Sequence, residues 1–109
     1  MQILTPGHKY VAANFENPEN GQTIQFIEKD TDPSGIGVGG DGSTLYTVND
    51  GTTNEELIDI LIDRLNFLNS KFPCRENSIA ITHLETALLW LNKRTADRKK
   101  RGVEGKHIK

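Results

Sequence analysis

The chain has 109 residues, enough for one small domain and too few for a large self-sufficient core. Its 13 Lys and Arg against 15 Asp and Glu give a net charge of −2, and its single cysteine excludes an internal disulfide and fits a reducing compartment. No stretch reaches the apolar length of a membrane span, and Met1 to Gly7 lacks the basic start and apolar core of a signal peptide, so a soluble cytoplasmic protein is expected.

In chain order, short strands come first. Lys9 to Phe15 reads as a strand that ends at Glu16-Asn17-Pro18-Glu19-Asn20-Gly21, a strong turn signal. Gln22 to Lys29 alternates imperfectly between apolar and polar residues, as a half-buried strand does, and Thr44 to Val48 reads as a third strand. Between them, after Asp32-Pro33-Ser34-Gly35, the run Gly37-Val38-Gly39-Gly40-Asp41-Gly42 matches the letters of the dinucleotide-binding glycine pattern. That motif opens a helix, whereas here a strand follows, so the run reads as a loop or ligand-covering flap.

From Asp50 the pattern turns helical. Thr53 with Glu56 has the capping-box spacing, and Leu57, Leu61, Leu65 and Leu68 follow at helical intervals, flanked by Ile58 and Ile62. The helix should stop near Asn69 and Ser70, and Pro73 suits the first turn of the next. So short a connection makes an antiparallel hairpin. The second helix, from about Pro73 to Arg101, spans on the order of 40 Å, against a radius of gyration near 13 Å for a compact domain of about this size. It carries one stripe of Ile81, Leu84, Leu88 and Leu91 with Asn77 at its start, and a neighbouring row of Ala80, His83, Ala87, Trp90, Arg94, Arg98 and Arg101. Apolar residues nearly all round its first half imply cover by a second subunit. Gly102 and Gly105 should end it, leaving a basic tail. The expected fold is α+β: a small N-terminal antiparallel sheet over residues 1–50, then a C-terminal helical hairpin and tail over 51–109, forming a single domain.

The candidate sites divide into dull and sharp ones. His83 has no partner at metal-ligand spacing and reads as a packing histidine; Cys74 has no base beside it and reads as a buried structural thiol. No carboxylate pair is placed for acid–base work, so neither an enzyme nor a cofactor or metal is indicated. Trp90 reads as core or subunit-interface packing in preference to ligand stacking. Phe67 lies off the leucine stripe, in line with Ile60 and Arg64, where a ring either packs or stacks on a base. Arg94, Arg98 and Arg101 share a face that suits either a phosphate grip or a solvated helix end. Residues 93–109 hold eight Lys and Arg against Asp97 and Glu104, so this end seeks an anionic partner or the acidic part of another copy. Asn77 and Arg94, seventeen residues apart on one helix, are separated by roughly 25 Å along its axis. Any site using both must lie between two antiparallel copies.

Asn66-Phe67, then Cys74-Arg75-Glu76-Asn77-Ser78 through Trp90-Leu91-Asn92-Lys93-Arg94-Thr95-Ala96-Asp97-Arg98 to Arg101-Gly102-Val103-Glu104-Gly105, resembles the phage Thoeris anti-defence family. Members are non-catalytic cytosolic sponges that capture the cyclic ADP-ribose isomers with which bacterial Thoeris systems signal. The resemblance implies a homo-oligomer with ligand pockets at a dimer interface, further assembly to hexamers, and in some members binding of cyclic di- or trinucleotides from CBASS immunity. It assigns Phe67 to stacking on adenine, Asn77 to hydrogen bonding, and Arg94 with Arg98 to the pyrophosphate. The alternative is a small nucleic-acid-binding phage accessory protein using its basic C-terminal helix. The acidic remainder of the chain counts against it.

Overall fold

The structure, a computed structural model, describes residues 1–31 and 45–100. The glycine-rich run, the turn at Asp32-Pro33-Ser34-Gly35, Arg101 and the basic tail lie outside the described residues. Two compact units divide at Thr53 and Asn54, the first holding the strands and the second both helices. The expected α+β composition, antiparallel strands followed by a helical hairpin, is present.

In the first unit, β1 (Gln2–Thr5), β2 (Lys9–Ala12) and β3 (Gln22–Gln25) form one antiparallel sheet in that order. β1 was not expected, although its turn is written in the sequence. The His8 amide donates to the Thr5 carbonyl at 2.9 Å, and Gly7 has φ of 81°. Proline at the second position and a left-handed glycine at the third make the type II turn of Thr5-Pro6-Gly7-His8. The expected turn after β2 does form. The Asn20 amide reaches the Asn17 carbonyl at 3.1 Å, Asn14 Nδ2 donates to the Asn20 carbonyl, and Gln22 Nε2 donates to Asn14 Oδ1 at 3.1 Å. β2 ends at Ala12, and Phe15, expected in the strand, is fully exposed.

The strand expected over Gln22 to Lys29 is two strands in two sheets. β4 (Glu28–Thr31) pairs antiparallel with β5 (Leu45–Asn49) apart from the first sheet. The break falls at Phe26 and Ile27, where backbone partners change: the Phe26 amide donates to the His8 carbonyl at 2.7 Å, the Ile27 amide to the Thr52 carbonyl at 2.8 Å. The Thr52 amide returns a bond to the Gln25 carbonyl at 2.9 Å. Gly51 permits this approach, because a Cβ there would run into the Gln25 carbonyl. Phe26 also meets Tyr10 edge to face, with centroids 6.0 Å apart.

In the second unit, α1 (Asn54–Lys71) starts directly after Thr53, as the capping signal predicts, and Phe72-Pro73-Cys74 joins it to α2 (Arg75–Lys100). Asn69 fastens the connection. Its Oδ1 accepts the Cys74 amide at 3.0 Å and its Nδ2 donates to Ser78 Oγ at 3.2 Å. On α2 the covered residues are Asn77, Ala80, Ile81, Leu84, Leu88, Leu91, Thr95 and Arg98, a 3–4 repeat that includes the whole expected stripe. Ile81 is the buried residue of the described chain, at 7% exposure. On α1 the covered residues include Leu57, Ile58, Ile62, Leu65, Leu68 and Asn69, so of the expected row Leu57, Leu61, Leu65 and Leu68 it is Leu61 that departs, at 45% exposure.

Candidate functional site

The four sequence-derived site residues sit at the two ends of the hairpin. At the connection end, Phe67 occupies the outer side of α1 and is 57% exposed, and the Lys71 ammonium lies 4.8 Å from the ring centroid. That arrangement is a cation–π contact, which holds a lysine over a face otherwise open to a flat ligand. Ser70 Oγ donates to the Phe67 carbonyl at 2.7 Å and ties down the last turn. Asn77 is half-buried in the first turn of α2, and its amide donates to Cys74 Sγ at 3.4 Å. Cys74 is therefore an exposed thiol at the helix start, not the buried one expected. Its sulfur satisfies one of the amides that a helix N-terminus leaves without an internal partner.

Arg94 and Arg98 occupy the other end of α2. The Asn69–Ser78 bond sets the register of the antiparallel pair; with equal rise on both helices, Asn54 comes level with about residue 93. Arg94 and Arg98 thus lie level with or beyond the start of α1. Arg94 is exposed and Arg98 half-buried, and Lys93 Nζ pairs with Asp97 Oδ2 at 2.8 Å. Part of this positive charge complements the carbonyl end of the helix dipole. Along α2, Asn77 and Arg94 remain roughly 25 Å apart. Within one chain the structure does not bring the four residues into one pocket.

Two concavities on the second unit differ in charge. A groove of about 460 Å³ is lined by Asp59, Ile62, Glu85, Leu88, Leu89 and Asn92. Its two carboxylates oppose an anionic ligand. A smaller cavity of about 230 Å³ is lined by Trp90, Lys93, Arg94 and Asp97. Two cations against one carboxylate make it the one suited to phosphate. His83, read as a packing residue, is exposed, and Trp90, read as core or subunit packing, is 67% exposed. Among the described residues no group of His, Cys, Asp or Glu is placed to hold a metal ion, and no helix is long and apolar enough to cross a membrane. Sequence reasoning missed Asn69, which anchors the start of α2, and Lys71. The signals were an asparagine at a helix end before a short connection, and a lysine four residues after Phe67.

Residues 38–96, more than half of the chain, match the family model described as Acb2/Tad1, hairpin domain. The chain belongs to this family. The match takes in β5 and both helices up to Ala96 and so includes Phe67, Asn77 and Arg94. The chain is also 63% identical over 60 residues, 54% of its length, to Thoeris anti-defense 1 of Bacillus phage SBSphiJ7. That aligned stretch spans 42% of the relative, so the chain covers less than half of the curated protein that it matches. Residues 1–37 fall outside the family match, and the hairpin is the part held in common.

Proposed function

We propose that this protein is a non-catalytic phage anti-defence sponge that binds cyclic ADP-ribose isomers of bacterial Thoeris immunity in pockets between its subunits, within the host cytoplasm. The observation that carries the reading is the placement of an asparagine and an exposed ring at one end of the hairpin and arginines at the other. Two hairpins packed antiparallel set Phe67 and Asn77 of one beside Arg94 and Arg98 of its partner. The flat ring then takes the adenine, Asn77 a hydrogen bond, and the guanidinium forks the pyrophosphate.

The surface supports such pairing. Ala80, His83, Ala87, Trp90 and Arg94 recur at 3–4 spacing, and of these all but Ala80 are exposed. On α1, Leu61 is 45% exposed. Small alanines let two helix axes approach closely, so a second hairpin covers the row at Ala80, His83 and Ala87 and leaves Trp90 and Arg94 at its end beside the site. The row is centred on Ala87, close to the midpoint between Asn77 and Arg94, so one two-fold axis serves both packing and site. Higher assembly to hexamers, and binding of cyclic di- or trinucleotides of CBASS immunity, extend the same reading.

A sponge works by mass action, so its affinity must hold nearly all of the signal at low free concentration. A nanomolar dissociation constant corresponds to about −12 kcal/mol. Calorimetry with glycocyclic ADP-ribose, followed by heat release and chromatography of the bound molecule, tests the proposal. Tight binding with intact ligand recovered supports it, and a cleaved product or no binding refutes it. Salt-sensitive binding of duplex DNA together with indifference to cyclic nucleotides would point instead to the nucleic-acid-binding alternative.

A further inference from the structure

We infer that Trp90 is a ligand-contacting residue of this site, its indole forming a second stacking wall for the nucleobase whose phosphates Arg94 holds. The inference rests on the sponge reading above and adds a contact to it.

Three observations lead there. The hairpin packs α2 through Ile81, Leu84, Leu88 and Leu91, whereas Trp90 is 67% exposed and turned away from that face. Trp90 stands four residues before Arg94, so indole and guanidinium are neighbours on one helix surface. Both line the cavity of about 230 Å³ with Lys93 and Asp97. That volume falls short of the roughly 300–1,000 Å³ that encloses a whole drug-sized ligand. It suits one flat moiety, with the remainder held by the partner's end of the hairpin.

Charge assigns the neighbours their parts. Lys93 gives its ammonium to Asp97 at 2.8 Å, which leaves that pair near neutrality. No described residue pairs with Arg94. Its planar fork remains open for a phosphate, and it lines the same cavity as Trp90. An indole offers the largest π-face of any side chain to a purine, and stacking asks for no base-specific hydrogen bond. With Phe67 supplied by the other subunit, the base is held between two rings.

Trp90 is the single tryptophan of the chain, so its emission reports this position alone. Glycocyclic ADP-ribose titrated into the full chain should change that emission with the midpoint found by calorimetry. Trp90→Leu, which keeps apolar bulk without a ring, should weaken binding by about tenfold or more, and Trp90→Phe by no more than about threefold. Native mass spectra should show unchanged assembly in both variants. Unchanged emission at saturation, wild-type affinity in Trp90→Leu, or loss of subunit assembly in that variant would each overturn the inference, the last by assigning Trp90 to packing. Binding that Arg94→Ala abolishes while Trp90 is silent refutes this inference alone. No binding by the wild-type chain refutes the sponge reading, and this one with it.

Discussion

Subunit complementation gives the sharpest test of the site. Asn77→Ala removes the polar contact at the connection end, and Arg94→Ala removes a cation at the far end, roughly 25 Å away along the same helix. Loss of the charged hydrogen bond in Arg94→Ala costs about 1.5–3 kcal/mol, roughly a ten- to 150-fold loss of affinity at 1.4 kcal/mol per tenfold, and loss of the Asn77 hydrogen bond about 0.5–1.5 kcal/mol, roughly two- to twelvefold. Either variant alone carries the defect in every pocket. In a two-fold dimer, a pocket made from Asn77 of one chain and Arg94 of its partner is restored when the two variants associate. Equal amounts unfolded and refolded together give half mixed dimers, each with one restored and one doubly defective pocket. About a quarter of the pockets should then regain wild-type affinity. Calorimetric stoichiometry on the refolded mixture, against the unmixed variants, measures that fraction. A mixture no better than its components would refute the shared-pocket argument, as would a wild-type monomer that binds at full strength.

Four further outcomes follow from the coordinates. Phe67→Ala should cost about 1–3 kcal/mol of binding while leaving thermal stability near wild type, because the ring is 57% exposed; calorimetry and a melting curve check the two halves. Asn69→Ala removes both side-chain bonds that fasten Cys74 and Ser78 to α1, and should destabilise the hairpin by about 1–2 kcal/mol in denaturant unfolding. Ile81→Ala empties the most buried apolar position among the described residues and should cost about 2–4 kcal/mol, and a change below about 1 would mean that the helices do not rely on it. Gly51→Ala drives a methyl group against the Gln25 carbonyl and should destabilise the strand unit by about 1–3 kcal/mol, read from denaturant unfolding followed by tyrosine absorbance.

Of the fold, the sequence by itself determined the helical hairpin almost to its ends. Helical hydrogen bonds close within four residues, so the Thr53 cap, the Pro73 start and the apolar spacing act locally. The turn at Asn17–Asn20 was legible for the same reason, and so in principle was Pro6-Gly7, which sets up β1. The separation of Asn77 from Arg94 was also fixed at this level, because helix rise converts residue number directly into distance. Tertiary structure decided what depends on partners far along the chain. It divided Gln22 to Thr31 between two sheets, because Phe26 and Ile27 bond to His8 and Thr52. It left Leu61 exposed in a row whose other members, Leu57, Leu65 and Leu68, are covered. It left Cys74 exposed, where a buried thiol was expected, and kept Trp90 out of the core of the hairpin. Periodicity states which residues share a face; only packing states which face is covered.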